Sequence, residues 1–522
     1  MEVKKLNQIN QLLDYHASHT PNKEYLFTNS ETLTYQDLHE RVNALAYSLY
    51  SLGITKGDRV ALYLRNKPEF LYTWFALNRI GAIMVPINTS LLKREVSFIL
   101  NDSEAVGLIG EYDAIKEVLN PAVSECQSIK FTITTGASQS GWISMESLLE
   151  KKSYLEYEIP DENELSSILY TSGTTGNPKG VMCPHRYYSY LAKSAVEAVK
   201  FNETDRLLTY LPLFHMNAQI LTVTASLVSG SSIILLEKFQ PNIFWQEIDK
   251  FKATVFFYLG SILPLLSKLT VSEEEKDNTL RLAVGAQADP KKIEEYETRW
   301  NLEMIELFGM TEGAGTINRV GNRKIGSCGK TFENHKVMIV DELGNPQLPL
   351  KSGEIIFTGP SLTLGYWNNI EETQKAYRNG WMYSGDIGYM DTDGYLYFLD
   401  RKKDIIRRNG ENISSTEIEQ VLLSHPEILE VAAIPIPDDD RGEEVKIFVV
   451  TNLGLQIKPE KIIQWCESTM AKYKIPRYIE FRDSLPKTAT QKIQKSILKT
   501  EYSDVSINTW DRRKKSLNEV GE

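Results

Sequence analysis

The segment Tyr170-Thr171-Ser172-Gly173-Thr174-Thr175-Gly176-Asn177-Pro178-Lys179-Gly180 gathers hydroxyls, glycines and one lysine directly after the apolar pair Ile168-Leu169. Glycines let the backbone approach a ligand, hydroxyls and amide N–H groups donate to phosphoryl oxygens, and a lysine adds a point charge. The loop is suited to cradling phosphate, although a glycine-rich surface turn has the same composition. It does not follow G-x-x-x-x-G-K-[ST], because Gly173 and Gly176 are too close together and Lys179 is followed by Gly180. Further along come Leu211-Pro212-Leu213-Phe214-His215, Gly285-Ala286, and Leu307-Phe308-Gly309-Met310-Thr311-Glu312. After these stand Tyr383-Ser384-Gly385-Asp386, Asp400-Arg401-Lys402-Lys403-Asp404, Gly410-Glu411-Asn412, and Pro486-Lys487-Thr488 leading to Lys492. Taken singly, Glu312 reads as a solvated loop acid, Asp386 and Arg401 as surface ion-pair partners, Lys403 and Lys492 as solvated charges, and His215 as structural. Asp391-Thr392-Asp393-Gly394 starts like a calcium loop but lacks the later ligands, and reads as a β-turn.

The elements that must position these groups follow from length and pattern. At ~150 residues per domain, 522 residues suggest about three domains or subdomains. The 42% hydrophobic and 24% charged composition is that of a globular enzyme with a sizeable core. Fifty-eight Lys and Arg against 69 Asp and Glu leave a net charge of -11, which argues against nucleic acid as a partner and makes any phosphate site local. Cys126, Cys183, Cys328 and Cys466 have neither disulfide-framework nor zinc spacing, so a reducing cytoplasm is expected. With no apolar leader and no run of ~18 apolar residues, neither secretion nor a membrane span is expected.

Apolar residues at helical spacing over 38–52, closed by Gly53, predict a helix. A strand over 60–64, a helix over 68–80 and a strand over 82–85 follow, and short apolar strands recur at 105–109, 131–134, 232–236, 254–257 and 280–284. The alternation predicts α/β architecture with parallel sheets covered by helices. Strands at 336–340, 354–357 and 395–399 form a small β layer. A charged linker at 400–404 and a compact α+β domain follow, with helices at 416–423 and 459–470 and strands at 429–434, 445–450 and 478–481.

The motifs resemble, in order and over nearly the whole chain, those of the acyl-adenylate-forming superfamily, which contains acyl-CoA synthetases, peptide-synthetase adenylation domains and luciferases. The resemblance implies a large N-terminal AMP-binding domain (1–400), a hinge (401–404) and a small mobile C-terminal domain (405–522). It implies that a carboxylate is joined to the α-phosphate of ATP with loss of pyrophosphate, and that CoA then displaces AMP, so ATP, Mg²⁺ and CoA are the expected cofactors. Thr171, Ser172, Gly173, Thr174, Thr175, Gly176 and Lys179 would hold the β- and γ-phosphates, with Glu312 binding Mg²⁺ beside Thr311. Gly285, Ala286, Phe308, Gly309 and Met310 would receive AMP. Phe308 stands where relatives often have Tyr, so stacking on adenine would survive while a hydroxyl contact is lost.

By the same resemblance Asp386 would bind the ribose hydroxyls and Arg401 the ribose or α-phosphate. Lys492 would bridge carboxylate and α-phosphate as charge rearranges, and Lys403 would serve as hinge. His215, Tyr258, Gly410 and Glu411 would border the acyl or CoA tunnel. Gln491 stands where the family usually has Gly. The stretch 74–88 is most similar to carnitine/crotonobetaine-CoA ligases, and Phe256, Phe257 and Tyr258 would offer an aromatic face to a quaternary ammonium or else be strand core. Medium-chain fatty acid or bile acid ligases, a non-catalytic nucleotide-binding protein, and an enzyme loading a carrier protein are the alternatives. The absence of an attached carrier domain favours CoA. A monomer or a homo-oligomer is expected.

Overall fold

The computed structural model describes residues 5–150, 157–171, 178–409, 411–452, 457–488, 492–501 and 508–513. The chain divides into two compact units, the first comprising Met1–Val337 and Ile356–Tyr383 and the second Met338–Ile355 and Ser384–Glu522.

The first unit holds two large sheets. One has the strand order Ile143–Ser144, Phe131–Thr135, Gly107–Glu111, Arg59–Tyr63, Ile83–Pro86, Leu165–Thr171, Lys179–Pro184, parallel except for the last, antiparallel pair. Its central strands are mostly apolar and buried, as strands covered on both faces are, with charges only at their ends, Arg59 and Glu111. The helix Tyr35–Ser51 starts with a capping box in which the Asp37 N–H donates to Thr34 Oγ1 at 3.1 Å and the Thr34 N–H to Asp37 Oδ2 at 2.8 Å. It ends before Gly53, whose φ of +89° needs glycine. The helix Pro68–Arg79 is buried all round, with Trp74 at its centre.

The second sheet runs Lys330–Thr331, Gly313–Ile317, Glu303–Met310, Leu282–Ala286, Val255–Leu259, Arg206–Thr209, Ser232–Leu235, Glu24–Phe27, Thr32–Thr34. From Glu303–Met310 to Glu24–Phe27 all neighbours are parallel. The expected α/β alternation therefore holds across this unit, with element ends within a few residues of those expected.

A five-stranded sheet joins Lys336–Val340, Gly353–Thr358, Trp381–Met390 and Tyr377–Arg378, with Leu396–Arg401 also paired to Trp381–Met390, and the boundaries of the two units fall at or within its strands. The expected linker begins inside a strand, because Ile387 pairs with Asp400 and Asp386 with Arg401.

The second unit continues into an α+β fold. Its sheet has the order Glu411–Ile413, Ile406–Arg408, Gly442–Thr451, Tyr478–Phe481, Thr509–Asp511, with Ile428–Asp438 paired to Gly442–Thr451. Alternate residues of Ile428–Asp438 feed two cores: Val431 and Ala433 face one, Ala432, Ile434 and Ile436 the other. Two ion pairs are buried here, Arg408 with Glu444 at 3.0 Å and Lys446 with Glu480 at 2.7 Å. Among the described residues no helix is long and apolar enough to cross a membrane.

Candidate active site

Three of the sequence motifs sit at the carboxyl ends of parallel strands in one sheet of the first unit. Arg206–Thr209 leads into residues 211–215, Leu282–Ala286 carries Gly285 and Ala286, and Glu303–Met310 carries Phe308, Gly309 and Met310 before turning at Thr311-Glu312. Loops at this edge are where open α/β sheets bind ligands. Asn66 fixes the first loop, donating from Nδ2 to Leu211 O and Leu236 O, each at 3.0 Å, and accepting the Leu213 N–H at 2.8 Å. His215 is half-buried beside Phe214 and shortly precedes the π-helical stretch Ala218–Thr224.

Tyr258, Gly285 and Glu306 form one row across three strands. A Cβ at Gly285 would lie 2.2 Å from Tyr258 O and 2.7 Å from its ring, so only glycine fits. Tyr258 Oη donates to Glu306 Oε1 at 2.6 Å, and the Ala288 N–H donates to the same oxygen at 3.1 Å. Phe256, Phe257 and Tyr258 are wholly buried. Of the two readings of this run, strand core is the one these positions fit: the Tyr258 ring packs on Gly285 and its hydroxyl is given to Glu306.

Glu312 is buried in the turn between Glu303–Met310 and Gly313–Ile317. Its Oε1 accepts the Tyr366 hydroxyl at 2.7 Å, and its carbonyl accepts Thr363 Oγ1 at 3.0 Å. Burial first, and then the Glu312 charge, push the Tyr366 phenol well above its ordinary range. Among the described residues no cluster of three or more His, Cys, Asp or Glu side chains could hold a metal alone. One carboxylate beside a threonine fits Mg²⁺, a hard cation that takes its remaining oxygens from water and substrate phosphates. Phe308 is buried, its ring against Gly315.

The strands flanking the glycine-rich segment, Leu165–Thr171 and Lys179–Pro184, are antiparallel, with Thr171 paired to Lys179. Ser172, Gly173, Thr174, Thr175 and Gly176 lie outside the described residues, as do Gly410 and Gln491. Lys179 is ion-paired with Glu372 and stands 5.5 Å from the Tyr366 ring centroid.

In the second unit Asp386 and Arg401 are cross-strand partners with their side chains 3.8 Å apart. The Asp386 N–H donates to Ser384 Oγ at 3.0 Å, and the Gly385 N–H to Glu354 Oε1 at 3.1 Å. Lys492 is bonded back to Thr488: the Thr488 N–H donates to Lys492 O at 2.8 Å and the Lys492 N–H to Thr488 Oγ1 at 3.1 Å. Its side chain is exposed, yet surrounding protein desolvates the ammonium and lowers its pKa; the Arg401 charge adds to this and that of Asp386 opposes it. Lys403 has its pKa lowered by desolvation and by Arg401. Glu411 is exposed and pairs with Arg408 in the ladder. Of the basic residues near 472–477, Arg477 is held by Asp438 and Asp511, and Lys474 by Glu417.

Glu306, Tyr366 and Glu372 were not singled out from the sequence; a glutamate two residues before Phe308 in an otherwise apolar strand was the one available signal. Burial pushes the Glu306 carboxyl up to about 7 from an ordinary 4.5. The fold thus favours the protonated form, and this contribution to stability is full below pH ~4.5 and is lost as pH rises through ~7. Glu306→Gln should flatten this part of the pH dependence: urea midpoints from pH 5 to 8 should fall in the parent protein relative to the variant. Parallel curves would refute the assignment.

Comparison with known proteins agrees with this geometry. The AMP-binding enzyme family matches residues 13–367, and the AMP-binding enzyme C-terminal domain matches residues 417–492. The crotonobetaine/carnitine–CoA ligase of Escherichia coli O8 (strain IAI1) is 33% identical over 479 residues, covering 89% of this chain and 93% of that protein. An anthranilate CoA ligase in complex with anthranoyl-AMP superposes with a TM-score of 0.89 at 26% identity, covering 96% of this chain and 98% of that one. ATP-bound MatB from Rhodopseudomonas palustris gives 0.86 at 27%, with 95% and 99% covered. The o-succinylbenzoate CoA synthetase of Bacillus subtilis with its acyl-adenylate gives 0.82 at 28%, with 94% and 97% covered. With three of the family motifs at one sheet edge and both of its domains matched, the chain belongs to the AMP-binding enzyme family and is an AMP-forming acyl-CoA synthetase.

Proposed function

We propose that this synthetase activates a small betaine acid, carnitine, crotonobetaine or a close relative, as its acyl-adenylate and then as its CoA thioester. The observation that carries the substrate is the 33% identity to the crotonobetaine/carnitine–CoA ligase over 89% of the chain. With residues 256–258 buried in their strand, we assign recognition of the ammonium to other side chains. Assaying ATP- and CoA-dependent AMP formation with carnitine, crotonobetaine, short and medium fatty acids, aromatic acids and cholate tests it. The betaines should give the highest kcat/KM, and preference for an aromatic or aliphatic acid would overturn the proposal.

In the first half-reaction a carboxylate oxygen attacks the α-phosphorus and the bond to the pyrophosphate oxygen breaks. Two anions must meet while charge builds on phosphoryl oxygens, so cations and donors are needed. We assign the β- and γ-phosphates to Thr171, Ser172, Gly173, Thr174, Thr175, Gly176 and Lys179. Adenine is assigned to Phe308 with Gly285, Ala286, Gly309 and Met310, the ribose to Asp386 and Arg401, and transition-state charge to Lys492. Thr311 and Glu312 would hold Mg²⁺, which when bound neutralises phosphate charge. In the second half-reaction the CoA sulfur attacks the acyl carbon and AMP leaves. His215, Gly410 and Glu411 are assigned to that step, with Lys403 as hinge between the two. The supporting geometry is the common sheet edge for residues 215, 285 and 308–312 and the clustering of Asp386, Arg401 and Lys492 in electrostatic reach of one another.

Lys492→Ala should lower pyrophosphate release by ~100-fold or more while acyl-AMP supplied from outside is still converted by CoA. Equal loss of both half-reactions would contradict the role. Glu372 occupies Lys179 and would have to yield it to phosphate, so Glu372→Gln should lower the KM for ATP by up to ~5-fold, the range of a partly exposed ion pair. The difference should shrink at high ionic strength. A raised KM would show instead that Glu372 orients the lysine.

A further inference from the structure

Lys492 stands three residues before the start of the helix Lys495–Glu501. Lys495 and Lys499 are one helical turn apart and lie on one face. Lys495 Nζ reaches Glu419 Oε1 at 2.8 Å and Ser415 Oγ at 2.7 Å, tying the helix to Ser415–Leu423. Lys499 Nζ donates to the carbonyl of Lys403 at 2.8 Å and to Asp404 Oδ1 at 2.7 Å, tying it to the segment just after Arg401. That segment is itself anchored, since Asp400 Oδ2 accepts the Ser415 N–H at 2.6 Å and Ser415 Oγ at 2.8 Å. Burial works against the Asp404 carboxylate, yet the Lys499 bond with the charges of Lys495 and Lys403 outweighs it, and its pKa is lowered. The chain from Arg401 to Asp404, the Lys499 contact, and the helix back to Lys492 thus form a short closed circuit. Both of its ends are cations whose fields act on each other.

We propose that Lys499, through its bonds to Lys403 O and Asp404 Oδ1, is a positioning residue that holds Lys492 in register with Asp386 and Arg401. The proposal rests on the reading that Lys492 acts in adenylation. Lys499 would touch no reactant; its part is to fix the backbone from which Lys492 extends, because displacements of about 1 Å at a reacting group can cost ~100-fold in rate.

The test measures ATP- and acid-dependent pyrophosphate release by the full chain for Lys499→Met, Lys499→Arg, Asp404→Asn and Lys492→Ala, with Tm recorded for each. Lys499→Met should lower kcat by ~10- to 100-fold with KM for ATP changed less than ~3-fold. Asp404→Asn should give a smaller loss of the same kind and Lys499→Arg should restore most of the rate. Competitive labelling of lysine amines by acetic anhydride across pH, read by peptide mass, gives a readout independent of activity. In Lys499→Met the labelling midpoint of Lys492 should rise toward that of an ordinary lysine. An unchanged midpoint and unchanged kcat, with Lys492→Ala inactive, would overturn the positioning role alone. A Lys492→Ala enzyme that still releases pyrophosphate would instead overturn the reading of Lys492. A Lys499→Met loss that follows only a fallen Tm, with Asp404→Asn normal, would reduce Lys499 to a stabilising contact.

Discussion

Parallel pairing forces neighbouring strands to end on the same side of a sheet, and this constraint organises the first unit. Each strand from Glu303–Met310 to Arg206–Thr209 must hand its chain to a loop at one edge, so segments more than eighty residues apart in sequence are delivered side by side. The edge is held open to chemistry by very local devices: Asn66 bonds three backbone groups around residues 211–236, and the Glu306 carboxyl takes the Tyr258 hydroxyl and the Ala288 N–H. A buried polar group of this kind is tolerated because its hydrogen bonds are made.

Much of this architecture was legible in the sequence because fully buried strands and amphipathic helices leave strong patterns. The run Arg59–Tyr63, the capped helix Tyr35–Ser51 and the second-unit strands Ile428–Asp438, Gly442–Thr451 and Tyr478–Phe481 stand close to where their apolar spacing puts them, whereas the short polar strands Ile406–Arg408, Glu411–Ile413 and Thr509–Asp511 carry no such pattern. Among candidate functional groups, those on loops with glycine or turn residues could be singled out, since such segments have few structural reasons for their composition. Side chains that act by contact with a partner distant in sequence could not. Glu372 lies 193 residues from Lys179, and Tyr366 lies 54 from Glu312. Nothing in either local sequence marks the pairing. The aromatic run 256–258 was ambiguous because burial and ligand binding favour the same residue types; only the register of Tyr258 beside Gly285 and Glu306 separates them.

The second unit solves a different problem. Its strand Gly442–Thr451 carries Glu444 and Lys446 into the interior, each matched by an opposite charge, Arg408 and Glu480. Such pairs contribute little net stability against an apolar core of the same volume, but breaking one by removing a single partner is costly. They therefore act as registration marks for the strands that carry them, Ile406–Arg408, Gly442–Thr451 and Tyr478–Phe481.

Residues 172–178 join two antiparallel strands, Leu165–Thr171 and Lys179–Pro184, rather than a strand and a helix. In many nucleotide-binding folds the phosphate loop opens a helix, whose aligned peptide dipoles lend it partial positive charge. Here the chain leaves the loop as the strand Lys179–Pro184, so that source of field is missing from the element that follows. On the proposed assignment of residues 171–179 to the β- and γ-phosphates, attraction for them would come from discrete charges such as Lys179 rather than from a helix dipole, a grip of a few removable contacts that suits an enzyme releasing pyrophosphate in every turnover.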